Sequence, residues 1–181
     1  MKNTVLAKRY AKALFAVGQE DGAFVAYAEV LNQMAGLFTD LPEVKDALIS
    51  PLYPEDVRLK VMESLVRALG APQVMVNFGK LLMEKKRAII LPEIAGAYQA
   101  MVDQEHNLVR GTVVSVTELA PELNEKVKAA LEKVTGKRVE LTNRIDPAII
   151  GGMVVRVGDL VLDGSIRSQL VELKESIKGR E

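Results

Sequence analysis

The stretch from Gly151 to Ser165, GGMVVRVGDLVLDGS, has the residue types of a binding loop. A phosphate loop requires Gly-Lys followed by Ser or Thr at the start of a helix, and a dinucleotide fingerprint requires GxGxxG spacing. Neither pattern is present. A calcium loop requires acidic residues at alternating positions, but three apolar residues separate Asp159 from Asp163. The stretch instead predicts a β-hairpin, with Gly158-Asp159 in the turn and Asp163 or Ser165 capping a following helix.

Other residues that carry chemistry are too few for a catalytic or metal site. The chain has no cysteine, which excludes disulfides and thiolate metal sites, and His106 is its single histidine. With 24 basic and 24 acidic residues, it lacks the positive charge typical of a nucleic-acid binder. No apolar run approaches the roughly 20 residues of a transmembrane helix. We therefore expect no catalytic residue, no cofactor, no metal, no nucleic-acid partner and no direct membrane span.

Helical spacing, interrupted by proline and glycine, runs through the first hundred residues and predicts six helices in an antiparallel bundle. The pattern changes near His106, where LVRGTVVSVTEL reads as a strand. A helix from Pro121 to Val134, a strand over KRVELTNR, the hairpin and a last helix follow. The predicted fold is α+β, mainly α: a six-helix bundle over residues 1–105, then a small α/β domain over residues 106–181 with a short sheet and two helices.

Two apolar faces carry further expectations. On the fourth helix, residues Val57, Val61, Leu65 and Leu69 are expected to face the core. On the last helix, a stripe is expected to pack on the sheet; it comprises Ile166, Leu170, Leu173 and Ile177.

The segment IGGMVVRVGDLVLDGSIRSQLVEL resembles the C-terminal signature of the delta-subunit family of F-type ATP synthase, whose mitochondrial counterpart is the oligomycin-sensitivity-conferring protein. AKRYAKALFAVGQEDG resembles the opening helix of that family, and the chain length and domain order agree. The signature positions, expected to be structural, are Gly151, Gly152, Asp163, Ser165, Arg167 and Leu170.

This resemblance implies a non-catalytic subunit of the peripheral stalk, the stator that stops the catalytic head from turning with the rotor. The N-terminal bundle would bind N-terminal helices of the alpha subunits, and the C-terminal domain would bind the C-terminal end of the b subunits. One copy per complex is implied, peripheral, at the cytoplasmic face of the bacterial cell membrane. Proton flow would then drive ATP synthesis only while this link holds.

The first and fifth helices carry more apolar residues than the roughly three in seven that a bundle helix needs. The resemblance implies that the alpha-binding groove lies between these two helices. The alternative is that their apolar side chains simply fill the bundle core. The residues predicted to contact the alpha-subunit helix are Tyr10, Ala13, Leu14, Val17, Asn77, Phe78, Leu81 and Leu82.

Two other classes of function were weighed against a stator. A helical adaptor that binds RNA or acts as a chaperone would need a basic face. Neither half of the chain has a marked excess of basic residues. An enzyme predicts polar groups that converge in a pocket, and the sequence nominates none.

Overall fold

The computed structural model describes residues 2–158 and 160–178, and it confirms the predicted α+β, mainly α fold class. The chain divides into two compact units, Met1–Val102 and Asp103–Glu181, whereas the sequence placed the boundary after residue 105. Among the described residues, no helix combines the length and apolarity that crossing a bilayer requires.

The first unit is built from helices around one continuous core. Tyr98, Leu31 and Met34 are among its largest fully buried side chains. Tyr98 also donates a hydrogen bond of 3.0 Å from its hydroxyl to the carbonyl oxygen of Phe24, which ties the last helix of the unit to the second. The helices are α1 (Lys2–Glu20), α2 (Phe24–Asp40), α3 (Pro42–Ile49), α4 (Glu55–Ala68), α5 (Gln73–Glu84) and α6 (Leu91–Glu105), with a 3₁₀ turn at Ala88–Ile90 before α6.

The predicted core face of α4 is wrong at Val57, and its other three residues do pack against the core without being fully buried. Met62 and Val66 are the fully buried residues of this helix, while Val57 is exposed. Val61, Leu65 and Leu69 are only partly buried at the edge of the core. Successive helical residues are about 100° apart, so a helix with apolar residues on two adjacent stripes leaves the choice between them to its neighbours.

The second unit is a four-stranded sheet with two helices. Its strand order is β2-β1-β3-β4. Strands β1 and β2 are parallel, and α7 makes the crossover that such a pair requires. Strand β3 is antiparallel to both β1 and β4. The elements are β1 (Leu108–Ser115), α7 (Pro121–Thr135), β2 (Arg138–Ile145), a 3₁₀ turn at Pro147–Ile149, β3 (Met153–Val157), β4 (Leu160–Asp163) and α8 (Ile166–Lys178).

The hairpin predicted for residues 151–165 is confirmed by the antiparallel pairing of β3 with β4. Gly158 follows β3 and has a φ of 57°, the left-handed conformation that the prediction required of the turn. Asp159, the other predicted turn residue, lies outside the described residues.

The expectation that the apolar stripe of α8 packs on the sheet is wrong. Its four residues, Ile166, Leu170, Leu173 and Ile177, are each between 44% and 65% exposed. The sheet core is closed by the other helix, since Leu131 of α7 is buried with Val113 and Val139. Helix α8 packs instead against the 3₁₀ turn at Pro147–Ile149. Its stripe therefore faces solvent in the isolated chain.

Candidate helix-binding site

A network of aromatic and cationic side chains joins α1 to α5. The rings of Tyr10 and Phe78 meet edge to face, with centroids 6.3 Å apart. Arg87, just beyond α5, donates a hydrogen bond of 2.6 Å from Nη1 to the Tyr10 hydroxyl. Its guanidinium carbon lies 5.6 Å from the centroid of the same ring. Edge-to-face pairs and cation–π contacts each contribute about 0.5–1 kcal/mol, so Tyr10 is held firmly in place.

Beside this network, α1 and α5 enclose a surface groove of about 470 Å³. Its walls are mainly apolar, and three polar residues interrupt them: Arg9, Asn77 and Arg87. Asn77 is oriented because its Oδ1 accepts a hydrogen bond of 3.0 Å from Nε2 of Gln73, one turn earlier. The lining comprises Arg9, Tyr10, Ala13, Leu14 and Val17 from α1, Val74, Asn77, Phe78 and Leu81 from α5, and Arg87.

The structure brings together all the residues predicted to contact a partner helix except Leu82, which is fully buried in the bundle and does not line the groove. Leu14 and Phe78 are nearly buried and form the floor. Val17 and Leu81 are 37% and 39% exposed and form the rims. Leu82 therefore only fills the core, Leu14 and Phe78 belong both to the core and to the groove floor, and core filling does not account for the two rim residues.

The signature residues of the second unit build the start of α8. Asp163 accepts two hydrogen bonds, one of 2.9 Å from the Ser165 N–H and one of 2.7 Å from the Ser168 hydroxyl. The Ser165 hydroxyl oxygen accepts from the Ser168 N–H at 3.2 Å, as an N-cap does. The Ser168 bond, and then the Ser165 bonds, hold the pKa of Asp163 below its ordinary value. Both predicted capping residues thus act on the same helix end.

Gly151 and Gly152 join this helix end to the sheet. The Gly151 carbonyl oxygen accepts a hydrogen bond of 3.0 Å from the Ile166 N–H. Gly152 has a φ of 77°, and a Cβ there would overlap the carbonyl oxygen of Gly164. Arg167 and Leu170 are exposed further along α8. The glycines and the capping residues of the signature therefore set the direction in which α8 leaves the sheet.

Comparison with known proteins decides the family. The sequence profile of the ATP synthase delta (OSCP) subunit matches residues 6–177. This chain belongs to that family. It is 56% identical over 181 residues, all of both chains, to the ATP synthase subunit delta of Desulfotalea psychrophila. To the subunit delta of Desulfosudis oleivorans it is 42% identical, over all of this chain and 99% of the relative.

A solved structure has the same fold. A chain of the Toxoplasma gondii mitochondrial ATP synthase hexamer superposes with a TM-score of 0.76 at 23% identity, over 95% of this chain and 97% of that one. Membership of the delta (OSCP) family makes the chain a structural, non-catalytic subunit of ATP synthase and part of its stator. Within the described part of the chain, no cluster of three His, Cys, Asp or Glu side chains is arranged to hold a metal ion.

Three residues of the groove in this delta-family chain were missed by the sequence prediction. Val74 belongs to the apolar excess of α5, and Arg9 stands next to the predicted Tyr10, so both had a signal. No sequence signal connects Arg87 with Tyr10, because the two lie 77 residues apart and Arg87 is beyond the end of α5. Only the turn after α5 brings it to the groove.

Proposed function

We propose that this subunit connects the catalytic head of F-type ATP synthase to the b-subunit stalk, as one copy per complex at the cytoplasmic face of the bacterial cell membrane. The first unit binds an alpha-subunit N-terminal helix in the α1–α5 groove, and the second unit binds the C-terminal end of the b subunits. The head is thereby kept from turning with the rotor, so that proton flow drives ATP synthesis. The observation that carries this proposal is the exposed apolar groove between α1 and α5.

The groove has the form that an amphipathic helix requires. Its lining residues recur at helical spacing on both walls, from Tyr10 to Val17 on α1 and from Val74 to Leu81 on α5. Seven residues of α-helix span about 10 Å, so each wall offers two turns. A partner helix with apolar residues at positions i, i+3 or i+4, and i+7 fills such a site.

The groove alone supports only modest affinity. Burying one Leu or Phe side chain contributes roughly 1.5–3 kcal/mol, and association costs about 4–15 kcal/mol. A few apolar side chains bound in a two-turn groove therefore give only a small net free energy of binding. A second attachment through the other unit raises the effective concentration of the first, so the two sites work together in the assembled complex.

The exposed stripe of α8 supports the second attachment. Ile166, Leu170, Leu173 and Ile177 form a continuous apolar face on a helix whose other residues, apart from Val171, are polar or charged. A solvated helix of a monomer does not need such a face, and an exposed apolar patch marks an interaction site. A helical stalk end with its own apolar stripe has matching chemistry.

The first site is tested by calorimetric titration of the full chain with a peptide of the alpha-subunit N-terminal segment from the same organism. We expect saturable binding to the wild type and none to the Val17→Asp, Leu81→Asp double variant. Val25→Asp is the matched control, because Val25 is 42% exposed on α2 outside the groove. Far-ultraviolet circular dichroism verifies that all three chains remain helical. Absence of binding to the wild type would contradict the groove assignment.

The second site is tested in the same way with the C-terminal segment of the b subunit. We expect the Leu170→Asp, Leu173→Asp variant to lose binding. Leu123→Asp, which changes an exposed leucine on α7, should bind as the wild type does. Equal binding by all three chains would place the stalk contact away from α8.

A further inference from the structure

The two ends of the α1–α5 groove differ in charge. Arg9 and Arg87 lie beside Tyr10 at one end. Because Arg87 follows α5 and reaches Tyr10, α5 runs toward this end, and Val74 at its start lies with Val17 at the other. Past Val17, α1 finishes with Glu20, and Asp21 follows. The groove is thus basic at its Tyr10 end, and two acidic residues follow its Val17 end in the chain. The carboxylate of one of them, Asp21, accepts a hydrogen bond of 2.8 Å from the Tyr27 hydroxyl of α2.

The basic end has free capacity to bind an anion. Neither Arg9 nor Arg87 forms an ion pair within the described part of the chain. Arg87 donates one N–H to the Tyr10 hydroxyl. A guanidinium has five N–H donors in a planar arrangement that matches a carboxylate, so the others can bind an acidic side chain. Arg87 is also only partly exposed, and water weakens an ion pair less at such a position than in open solvent.

A bound helix is itself polar. Its N-terminus carries partial positive charge and its C-terminus partial negative charge. The lower-energy direction therefore places the partner's C-terminal end at Arg9 and Arg87, and its N-terminal end toward Glu20 and Asp21. An acidic side chain in the last turn of the partner adds to this preference.

We propose that the groove selects both the direction and the charge of its ligand: an amphipathic helix that runs parallel to α5 and antiparallel to α1, with an Asp or Glu of its last turn bound by Arg9 and Arg87. This inference rests on the proposed function, since it specifies which helix the groove accepts and how. The apolar walls supply affinity, and the two arginines distinguish this orientation from its reverse.

The direction is measured by pulsed electron resonance on the full chain. The protein has no cysteine, so Lys8→Cys and Gln19→Cys each introduce a single labelling site, on exposed residues near the basic and the acidic end. These sites are about 16 Å apart along α1. With a nitroxide at the C-terminus of the alpha-subunit peptide, we expect the shorter distance to residue 8. A shorter distance to residue 19 would overturn the proposed direction.

The contribution of the two arginines is tested by measuring the Kd of the same peptide for the Arg9→Gln and Arg87→Gln variants. We expect each Kd to rise roughly tenfold, with less than a twofold change for Lys12→Gln, an exposed cation of α1 outside the groove. Arg9→Gln leaves the bond between Arg87 and Tyr10 intact, so it separates charge from groove shape. Replacing the last acidic residue of the peptide with Gln should raise the Kd of the wild type at least tenfold and that of Arg87→Gln by a smaller factor.

The outcomes separate this inference from the proposed function. If both arginine substitutions leave the Kd unchanged and the Val17→Asp, Leu81→Asp variant does not bind, the groove binds the helix but the two arginines do not select its charge. No binding to the wild type would reject both.

Discussion

The two units expose apolar surface in opposite ways. In the first, helices α1 to α6 pack around a continuous core. An exposed apolar surface large enough for a partner helix lies in the groove between α1 and α5, two helices that the core holds in place. In the second, a small core of Val113, Leu131, Val139, Val155 and Val157 is complete without α8, and the apolar stripe of that helix is left uncovered.

This difference indicates two kinds of binding surface. A groove between packed helices exists before its ligand arrives, so little ordering is required on binding. Helix α8 is 13 residues long, and an isolated helix of that length is marginal in water. Its cap and its contact with the 3₁₀ turn hold its first turns, and a partner on the stripe would stabilise the rest.

The largest effect is expected from adjacent leucines of α5. Leu82→Ala removes a fully buried side chain and should lower the free energy of unfolding of the first unit by about 2–5 kcal/mol. Leu81→Ala, at the groove rim, should cost well under half as much and weaken binding of the alpha-subunit peptide instead. Urea unfolding followed by near-ultraviolet circular dichroism isolates this unit, because all tyrosines and phenylalanines of the chain lie in it. Equal destabilisation by both changes would erase the distinction between core and rim.

Gly152→Ala should act on the second unit alone. It combines a positive φ with overlap of the Gly164 carbonyl oxygen, and strain of this kind costs about 1–3 kcal/mol. Gly158→Ala is the control, because its φ is also positive but a Cβ there meets nothing within 4 Å. We expect the larger loss for Gly152→Ala in far-ultraviolet melting, with the near-ultraviolet signal of the first unit unchanged. A larger loss from Gly158→Ala would contradict the tight joint between the sheet and α8.

A smaller, pH-dependent effect is expected at the α8 cap. Hydrogen bonds from Ser168 and then Ser165 lower the pKa of folded Asp163 below its ordinary 3.8. The carboxylate therefore stabilises the fold above that ordinary value, and the contribution is lost as pH falls toward the folded pKa. Asp163→Asn should flatten this part of the acid dependence of second-unit stability. Glu172→Gln, which removes a carboxylate from the same helix away from the cap, should leave it as steep as in the wild type.

The smallest effect on stability is expected for Leu173→Ser on the exposed stripe. An exposed substitution away from caps and core changes the free energy of unfolding by roughly 0.5 kcal/mol or less. Binding of the b-subunit segment should fall in the same variant. A loss of several kcal/mol in denaturant unfolding would show that the stripe is packed within the free chain, and the contrast between the two units would disappear.

The sequence predicted the apolar faces and the turns of the fold better than it predicted which neighbours cover each side chain. Apolar excess on α1 and α5, joined to the family resemblance, located the groove, and turn chemistry located the cap at Asp163 and Ser165. The same excess did not separate Leu81 from Leu82, since both are leucine and only the packing of neighbouring helices buries one of them. The period of α8 identified its stripe, but a period carries no information about what covers it. The contact of Arg87 with Tyr10 could not be predicted, because only the turn after α5 brings the two side chains together.

The strand order has a mechanical consequence. The chain leaves the helical bundle through α6 and enters the sheet at β1, which lies between β2 and β3. It pairs with β2 from Leu108 to Ser115 and with β3 from Gly111 to Ser115. A pull along the axis of β1 loads both ladders in shear, so many hydrogen bonds share the force at once. Had the chain entered through β2 or β4 at the edge, the same pull would have met one ladder. A force carried by the connection therefore reaches the sheet at a strand that has a partner on each side.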